Sequence, residues 1–375
     1  MSSKRILAVL LGGALGIAGM SSCGSSSGSS TADTTATADT TAGAEACTTL
    51  TPVKITLQWV AQAQFAGNFA AQDQGFYEDA CIDLQIQPGG PDINPVQLLL
   101  TGDTDLVGVQ FGAVLTARDE GADVITIGQV FERSAFSLLS FTDKGINTAE
   151  DIKGKKVALW GGFVPSFSAM AGKHSLVQDK DFTTVNQGFD VLPLLNDEVD
   201  MISAMRYNEY AQALAGAKGR AITLFDFGAD GTSVMEDTIA TTREWVTANP
   251  DVVKNYLKAT MKGWMYCRDN PDACVQIVLK NGSALQENYQ TWQMNEVNKL
   301  IWPSTNGLFA LTQGMFDQSA GILFESGVIK TKAVYSDVVD TSFRDAAAAE
   351  LASEDLNGSS FTPQTLDPAV LFAGG

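Results

Sequence analysis

Between residues 53 and 225 short aliphatic and β-branched runs alternate with longer stretches suited to helices, and this alternation restricts the chain to an α/β fold built on parallel sheets. Runs at 53–59, 82–87, 106–110 and 124–130 predict strands. The intervals 65–77, 92–100 and 111–120 predict the helices between them. A second cycle opens near Thr148, with strands at 156–160, 182–185, 199–204 and 221–225 and helices at 166–176 and 209–216. Two sequential α/β sheets are implied. Beyond 234–241 the chain turns mostly helical. Asn249-Pro250 and Asn270-Pro271 read as helix starts, and Val253, Tyr256, Leu257, Thr260, Met261 and Trp264 form a stripe at three- and four-residue spacing, read as core.

The first residues read as an address. Lys4 and Arg5 precede an apolar run over 6–20, which is too short and too Gly-interrupted to span a bilayer but suits a signal-peptide core. It ends in Met20-Ser21-Ser22-Cys23-Gly24, which resembles the bacterial lipobox with Met20 in place of the usual Leu. Residues 1–22 are therefore expected to be a lipoprotein signal peptide and Cys23 the lipidated residue; ordinary cleavage near Cys23 is the alternative. Residues 24–46 contain only Gly, Ser, Thr, Ala, Asp and Glu, with TADTTA written twice from Thr31, so 23–46 is expected to be a flexible stalk that buries no core. Such a coil spans about 25 Å.

Charge and cysteine content narrow the function. With 24 Lys+Arg against 43 Asp+Glu the net charge is −19, which repels a phosphate backbone and argues against nucleic-acid binding. One histidine, His174, and five cysteines leave no zinc-spaced cluster and no Ser/His/Asp triad that avoids His174, so neither metal nor cofactor is expected. Setting Cys23 aside, the four others allow three pairings in an oxidising compartment. Cys47 and Cys81 each precede a strand, and Cys267 and Cys274 flank a helix joint, which favours Cys47–Cys81 and Cys267–Cys274 over free thiols.

The chemistry expected of the body comes from its strand ends. The first strand runs into Trp59, Gln62, Gln64 and Phe65; the second ends near Gly89 and Gly90; the third near Gln110 and Phe111; the fifth near Trp160, Gly161 and Gly162. In open α/β sheets the crevice beyond the strand C-termini is where ligands bind. Rings, amides and glycines at four such ends suit the holding of a neutral aromatic ligand rather than its turnover. Trp59 in the core is the competing reading.

These stretches carry a resemblance. TLQWVAQAQFAGNFAAQDQGFYEDACIDLQIQPGGPDINPVQLLLTGDTDLVGV, DIKGKKVAL, GFDVLPLLNDEVD and NEYAQAL resemble the sulfonate-binding and thiamine-pyrimidine-synthase-like branch of the periplasmic binding proteins, from about Val53 to Leu279. The resemblance implies two α/β lobes closing on a small ligand, presented to the permease of an ABC importer. The lobes would comprise 47–141 with 235–375, and 142–234. The chain would cross near 141–148 and return near 227–234, with Gly145, Gly228 and Gly231 as hinge residues. The protein is expected to be exported and lipid-anchored to the outer face of the bacterial membrane as a monomer. A thiamine pyrimidine precursor, formylaminopyrimidine or hydroxymethylpyrimidine, is the first ligand expected, with riboflavin as its nearest competitor.

The resemblance also implies that Trp59 supplies an aromatic and Asn208-Glu209 a polar pair, a solvated helix face being the plainer reading of Glu209. Yeast-type pyrimidine synthases have a histidine where this chain has Phe65, and a cysteine-rich iron motif. This chain has neither, so the expectation is a binder and not an enzyme. An exported enzyme of pyrimidine metabolism would have Asp190, Asp237 and Glu209 to draw on. Sulfonate or nitrate would need Arg133 and Arg206.

Overall fold

The computed structural model describes residues 47–90, 92–188 and 190–372. The expected signal peptide, Cys23 and the stalk lie outside these residues. Among the described residues no helix is long and apolar enough to cross a membrane.

Ten strands form two five-stranded sheets. They are β1 Thr51–Thr56, β2 Ile82–Gln87, β3 Leu106–Val109, β4 Val124–Gln129, β5 Phe136–Phe141, β6 Lys155–Leu159, β7 Phe182–Asn186, β8 Met201–Met205, β9 Ile222–Asp226 and β10 Thr238–Thr242. The first sheet runs β2-β1-β3-β10-β4 and the second β7-β6-β8-β5-β9. β1 pairs in parallel with β2 and β3, and β6 with β7 and β8. β10 lies antiparallel to β3 and β4, and β5 antiparallel to β8 and β9. The antiparallel member of each sheet is the strand that has just crossed from the other, so both crossings are locked into sheet interiors and the two halves share one framework.

This topology moves the first crossing. β5 belongs to the second sheet, so the chain changes sheets over residues 130–135 rather than near 141–148, and Gly145 is a turn after β5 rather than a hinge. The return occupies 227–237 and contains the short helix Phe227–Asp230, closed by Gly231 at φ 76°. The two crossings are tied together by Glu236. Its carboxylate accepts from the Ser134 hydroxyl, the Ala135 N–H at 3.1 Å and the Phe136 N–H at 3.3 Å.

Local chemistry explains the other departures. The predicted helix over 65–77 breaks at Gly75, φ 72°, into Ala66–Asp73 and Phe76–Asp79. The helix expected from Asp92 starts at Pro95, because the Asn94 side chain accepts from the Gln97 N–H and caps it there. Asn249 and Asn270 precede helix-opening prolines but cap backward, their amides donating to the Trp245 and Tyr266 carbonyls of the preceding helices.

Helix Pro250–Asp269 buries the whole predicted stripe. It lies against Ala66–Asp73 so closely that a Cβ added to Gly263 would stand 2.0 Å from the Gly67 carbonyl oxygen. Disulfides join Cys47 to Cys81 at the start of β1 and β2, with Cα atoms 5.4 Å apart, and Cys267 to Cys274 across the helix joint at 5.2 Å.

Candidate ligand cleft

A cavity of about 740 Å3 opens where the C-terminal ends of β1, β3, β6 and β8 meet. Beyond β1 the chain stays tied to its neighbour, Leu57 N–H donating to Gln87 O at 2.9 Å and Gly89 N–H to Trp59 O at 2.9 Å. A Cβ on Gly89 would stand 2.0 Å from the Leu57 carbonyl oxygen, so only glycine allows the loop carrying Trp59 to lie this close. The Ala63 N–H then donates to the side-chain oxygens of Gln290 and Gln293, at 2.8 and 2.9 Å, which anchors the turn bearing Gln62 and Gln64.

The second sheet supplies the opposite wall. Trp160 follows β6, and its indole N–H donates to Gly188 O at 2.8 Å, fixing the ring. Gly161, Gly162 and Phe163 form the turn after it, and Phe163 stacks on Phe136 with centroids 4.2 Å apart. After β8 come Tyr207, Asn208 and Glu209, the last opening helix Glu209–Gly216.

Of the residues expected at the site, the cavity wall holds Trp59, Gln62, Gln64, Gln110, Trp160, Gly161, Gly162, Asn208 and Glu209. Four others are elsewhere. Phe111 sits just after β3 and Phe65 well beyond β1, at the end of the turn Ala63–Phe65, and each is buried in the core, Phe111 meeting Phe316 edge-on at 5.8 Å. Gly89 supports the Trp59 loop from behind, Gly90 follows it in open space, and neither lines the cavity. Phe163, a strand-end ring that suits a multi-ring ligand, lines it too, and Gln58, Asn94 and Tyr207 line it without having been singled out. Gln58 lay within the quoted motif, and amide-rich loop composition was the one signal that pointed to it.

The polar groups of the wall are internally wired. Glu209 is buried, not a solvated helix face. One carboxylate oxygen accepts from Met205 N–H at 2.9 Å and the other from the Asn208 amide at 2.7 Å. Burial still pushes its carboxyl up to about 7. Asp237, at the start of β10, accepts from the side-chain amides of Gln58 and Gln64, each at 2.8 Å. Burial raises it to about 8, with the neighbouring Glu236 pushing the same way. Burial likewise raises Glu236 to about 7, and desolvation with these three carboxylates holds the Tyr207 phenol well above its usual range. Arg133 and Arg206 are absent from this wall; they border a separate cavity of about 300 Å3 beside the crossings. Asp190 caps a turn, its carboxylate accepting from Leu192 N–H, and is not part of the wall.

This arrangement can sandwich a flat ring and offer hydrogen-bond acceptors to its rim. Among the described residues no three His, Cys, Asp or Glu side chains converge to hold a metal.

Comparison with known proteins gives the family and the fold. The family model described as NMT1/THI5 like matches residues 62–274, more than half of the chain. The riboflavin-binding protein RibY of Chloroflexus aurantiacus is 25% identical over 302 residues, 73% of this chain and 82% of that protein. The 4-amino-5-hydroxymethyl-2-methylpyrimidine phosphate synthase of Legionella pneumophila is 24% identical, over 60% of this chain and 72% of its own length. The formylaminopyrimidine-binding protein of Halalkalibacterium halodurans is 20% identical, over 62% of this chain and 71% of its own. Among solved structures, the periplasmic aliphatic sulphonate binding protein SsuA of Escherichia coli superposes with a TM-score of 0.61 at 17% identity, over 75% of this chain and 94% of that one, so the two share the periplasmic binding-protein fold.

Proposed function

Since the chain belongs to the NMT1/THI5-like family, we propose that it is the solute-binding component of an ABC importer and takes up a flat nitrogen heteroaromatic. The observation that carries this reading is the cavity itself, with Trp59, Trp160, Phe163 and Tyr207 in its wall and amides beside them. On this reading the protein is exported, held at the outer face of the membrane through Cys23, and hands its ligand as a monomer to a permease.

The sequence reading ranked a single-ring pyrimidine precursor first. A cavity of about 740 Å3 with aromatics in both walls supports the reverse order, riboflavin ahead of formylaminopyrimidine or hydroxymethylpyrimidine. A relative that binds riboflavin and another that binds formylaminopyrimidine keep both within the proposal. Binding without turnover is supported by the state of the carboxylates: Glu209 and Asp237 are each engaged at both oxygens by wall groups, as structural acceptors.

The test is the absorbance and mass spectrum of whatever the purified protein releases on denaturation, followed by titration of the emptied protein. Release of intact flavin, or retention of added riboflavin unchanged after prolonged incubation, supports the proposal. Conversion of a bound pyrimidine or flavin to another compound would make the protein an enzyme.

A further inference from the structure

We propose that Asp237 is a specificity-determining positioning residue, which turns the carbonyl oxygens of Gln58 and Gln62 to the cleft so that the site selects rings bearing N–H or O–H donors. The inference rests on the heteroaromatic reading above and adds what that reading leaves open, the hydrogen-bond sense of the ligand's rim.

An ionised carboxylate only accepts, so once Asp237 is ionised, above about pH 8, each amide that meets it must offer nitrogen. Asp237 Oδ1 takes the Gln58 amide and Oδ2 the Gln64 amide, each at 2.8 Å. Gln64, committed through its nitrogen, has its oxygen left to accept from the Gln62 amide at 2.6 Å. Gln62 is thereby committed through its nitrogen as well. The oxygens of Gln58 and Gln62 have no protein donor among the described residues, and both side chains line the cavity. One carboxylate thus sets the direction of three amides.

Asp237 does not belong to the β1 loop that it organises. It comes from the return crossing, follows directly on Glu236, which ties the crossings together, and is left-handed at φ 51°. The titratable groups around it are Glu236 on its own segment and Tyr207 from the second lobe, with Glu209 and Arg206 acting on those two. Burial raises Asp237 to about 8. Protonation replaces one of its accepting sites with an O–H donor, which lets one amide turn its oxygen to Asp237 at the expense of an acceptor in the cleft.

Asp237→Asn tests this. Asparagine keeps the shape but accepts from one glutamine and donates to the other, reversing part of the chain. Two readouts separate this inference from the reading beneath it. The first needs no ligand: side-chain amide NMR of Gln58, Gln62 and Gln64 in the emptied protein. Native protein should show all three amides slowly exchanging and shifting together as Asp237 titrates; in Asp237→Asn the titration should vanish and at least one amide should lose protection.

The second readout compares riboflavin with 3-methylriboflavin, which lacks the ring N–H, and hydroxymethylpyrimidine with its N,N-dimethylated amine. Native protein should prefer the donor-bearing member by about tenfold, the worth of one net hydrogen bond, and increasingly as pH rises through about 8. The variant should lose that preference and its pH dependence while remaining folded. An unchanged preference, or amides indifferent to the substitution, overturns the assignment of Asp237. Failure of all four compounds to bind, with the NMR result as expected, overturns the ligand reading and leaves the polarised network standing.

Discussion

The empty protein should lose stability as pH rises from about 5 to about 9, a range in which solvated carboxylates, ionised in both states, would leave stability unchanged. Asp237, Glu209 and Glu236 have their carboxyls raised by burial to about 8, 7 and 7. A raised carboxyl means that the folded state binds the proton more tightly than the unfolded chain. Unfolding then releases protons, and stability must fall with pH between the unfolded and folded values. His174, raised by Asp230 and Glu150, contributes in the same direction: its stabilisation is present below its unfolded value and lost as pH climbs through the folded one. Carboxylates held low by partners, among them Asp123, Asp197 and Glu350, act oppositely but only in acid, where they lose their contacts.

The displacement of Asp237 from 3.8 to about 8 has a ceiling of about 6 kcal/mol at about 1.4 kcal/mol per pH unit. Water entering an open cleft reduces that, and we expect a net fall of about 2–4 kcal/mol, or about 3–6 °C in melting temperature for a body of this size. The assay is scanning calorimetry of protein emptied by denaturation and refolding, in buffers spanning the range, with Asp237→Asn alongside. The variant should keep only the shallower fall left by Glu209, Glu236 and His174, and should exceed the native protein at alkaline pH. A native melting temperature that is flat or rising across this window, or a variant with the native slope, would refute the reasoning.

Gly263→Ala should destabilise the protein by about 2–3 kcal/mol in urea unfolding, although the same change in an exposed helix stabilises, because the new methyl would lie 2.0 Å from Gly67 O and 2.8 Å from Ala71 N. A variant as stable as the native protein would mean that the two helices are not packed this closely. Saturating ligand should close the cleft by rotation at residues 130–135 and 227–237, lowering the radius of gyration measured by solution scattering; an identical radius with and without bound ligand would contradict it.

Much of the architecture was legible because local chemistry and tertiary context agreed. β2, with its residues alternately buried and exposed, runs over the span that its sequence predicts. β5 was missed for the opposite reason. Phe136-Ser-Leu-Leu-Ser-Phe is buried on both faces, so no alternation marks it, and its absence displaced the crossing by several residues. At the site, Trp59 and Trp160 could be placed because strand ends point to the crevice in any open sheet. Phe65 and Phe111 misled because each stands at a helix start, Phe65 as the residue before Ala66–Asp73 and Phe111 as the first of Phe111–Asp119, with its ring buried in the core. Asp237 was legible only as an acid: what it organises lies 173 and 179 residues earlier in the chain, and only the return crossing brings them together.

The account turns on the cleft holding a flat ring by stacking rather than by charge, and calorimetric titration tests that most directly. Emptied native protein and Trp59→Ala would each be titrated with riboflavin and with the two pyrimidine precursors at low and high salt. The account predicts tight binding of at least one compound with little salt dependence, since a protein of net charge −19 gives a neutral ring no steering. Loss of Trp59 should weaken binding by about 2–4 kcal/mol, about thirtyfold or more. Binding that survives Trp59→Ala unchanged, or that weakens steeply with salt, would contradict it.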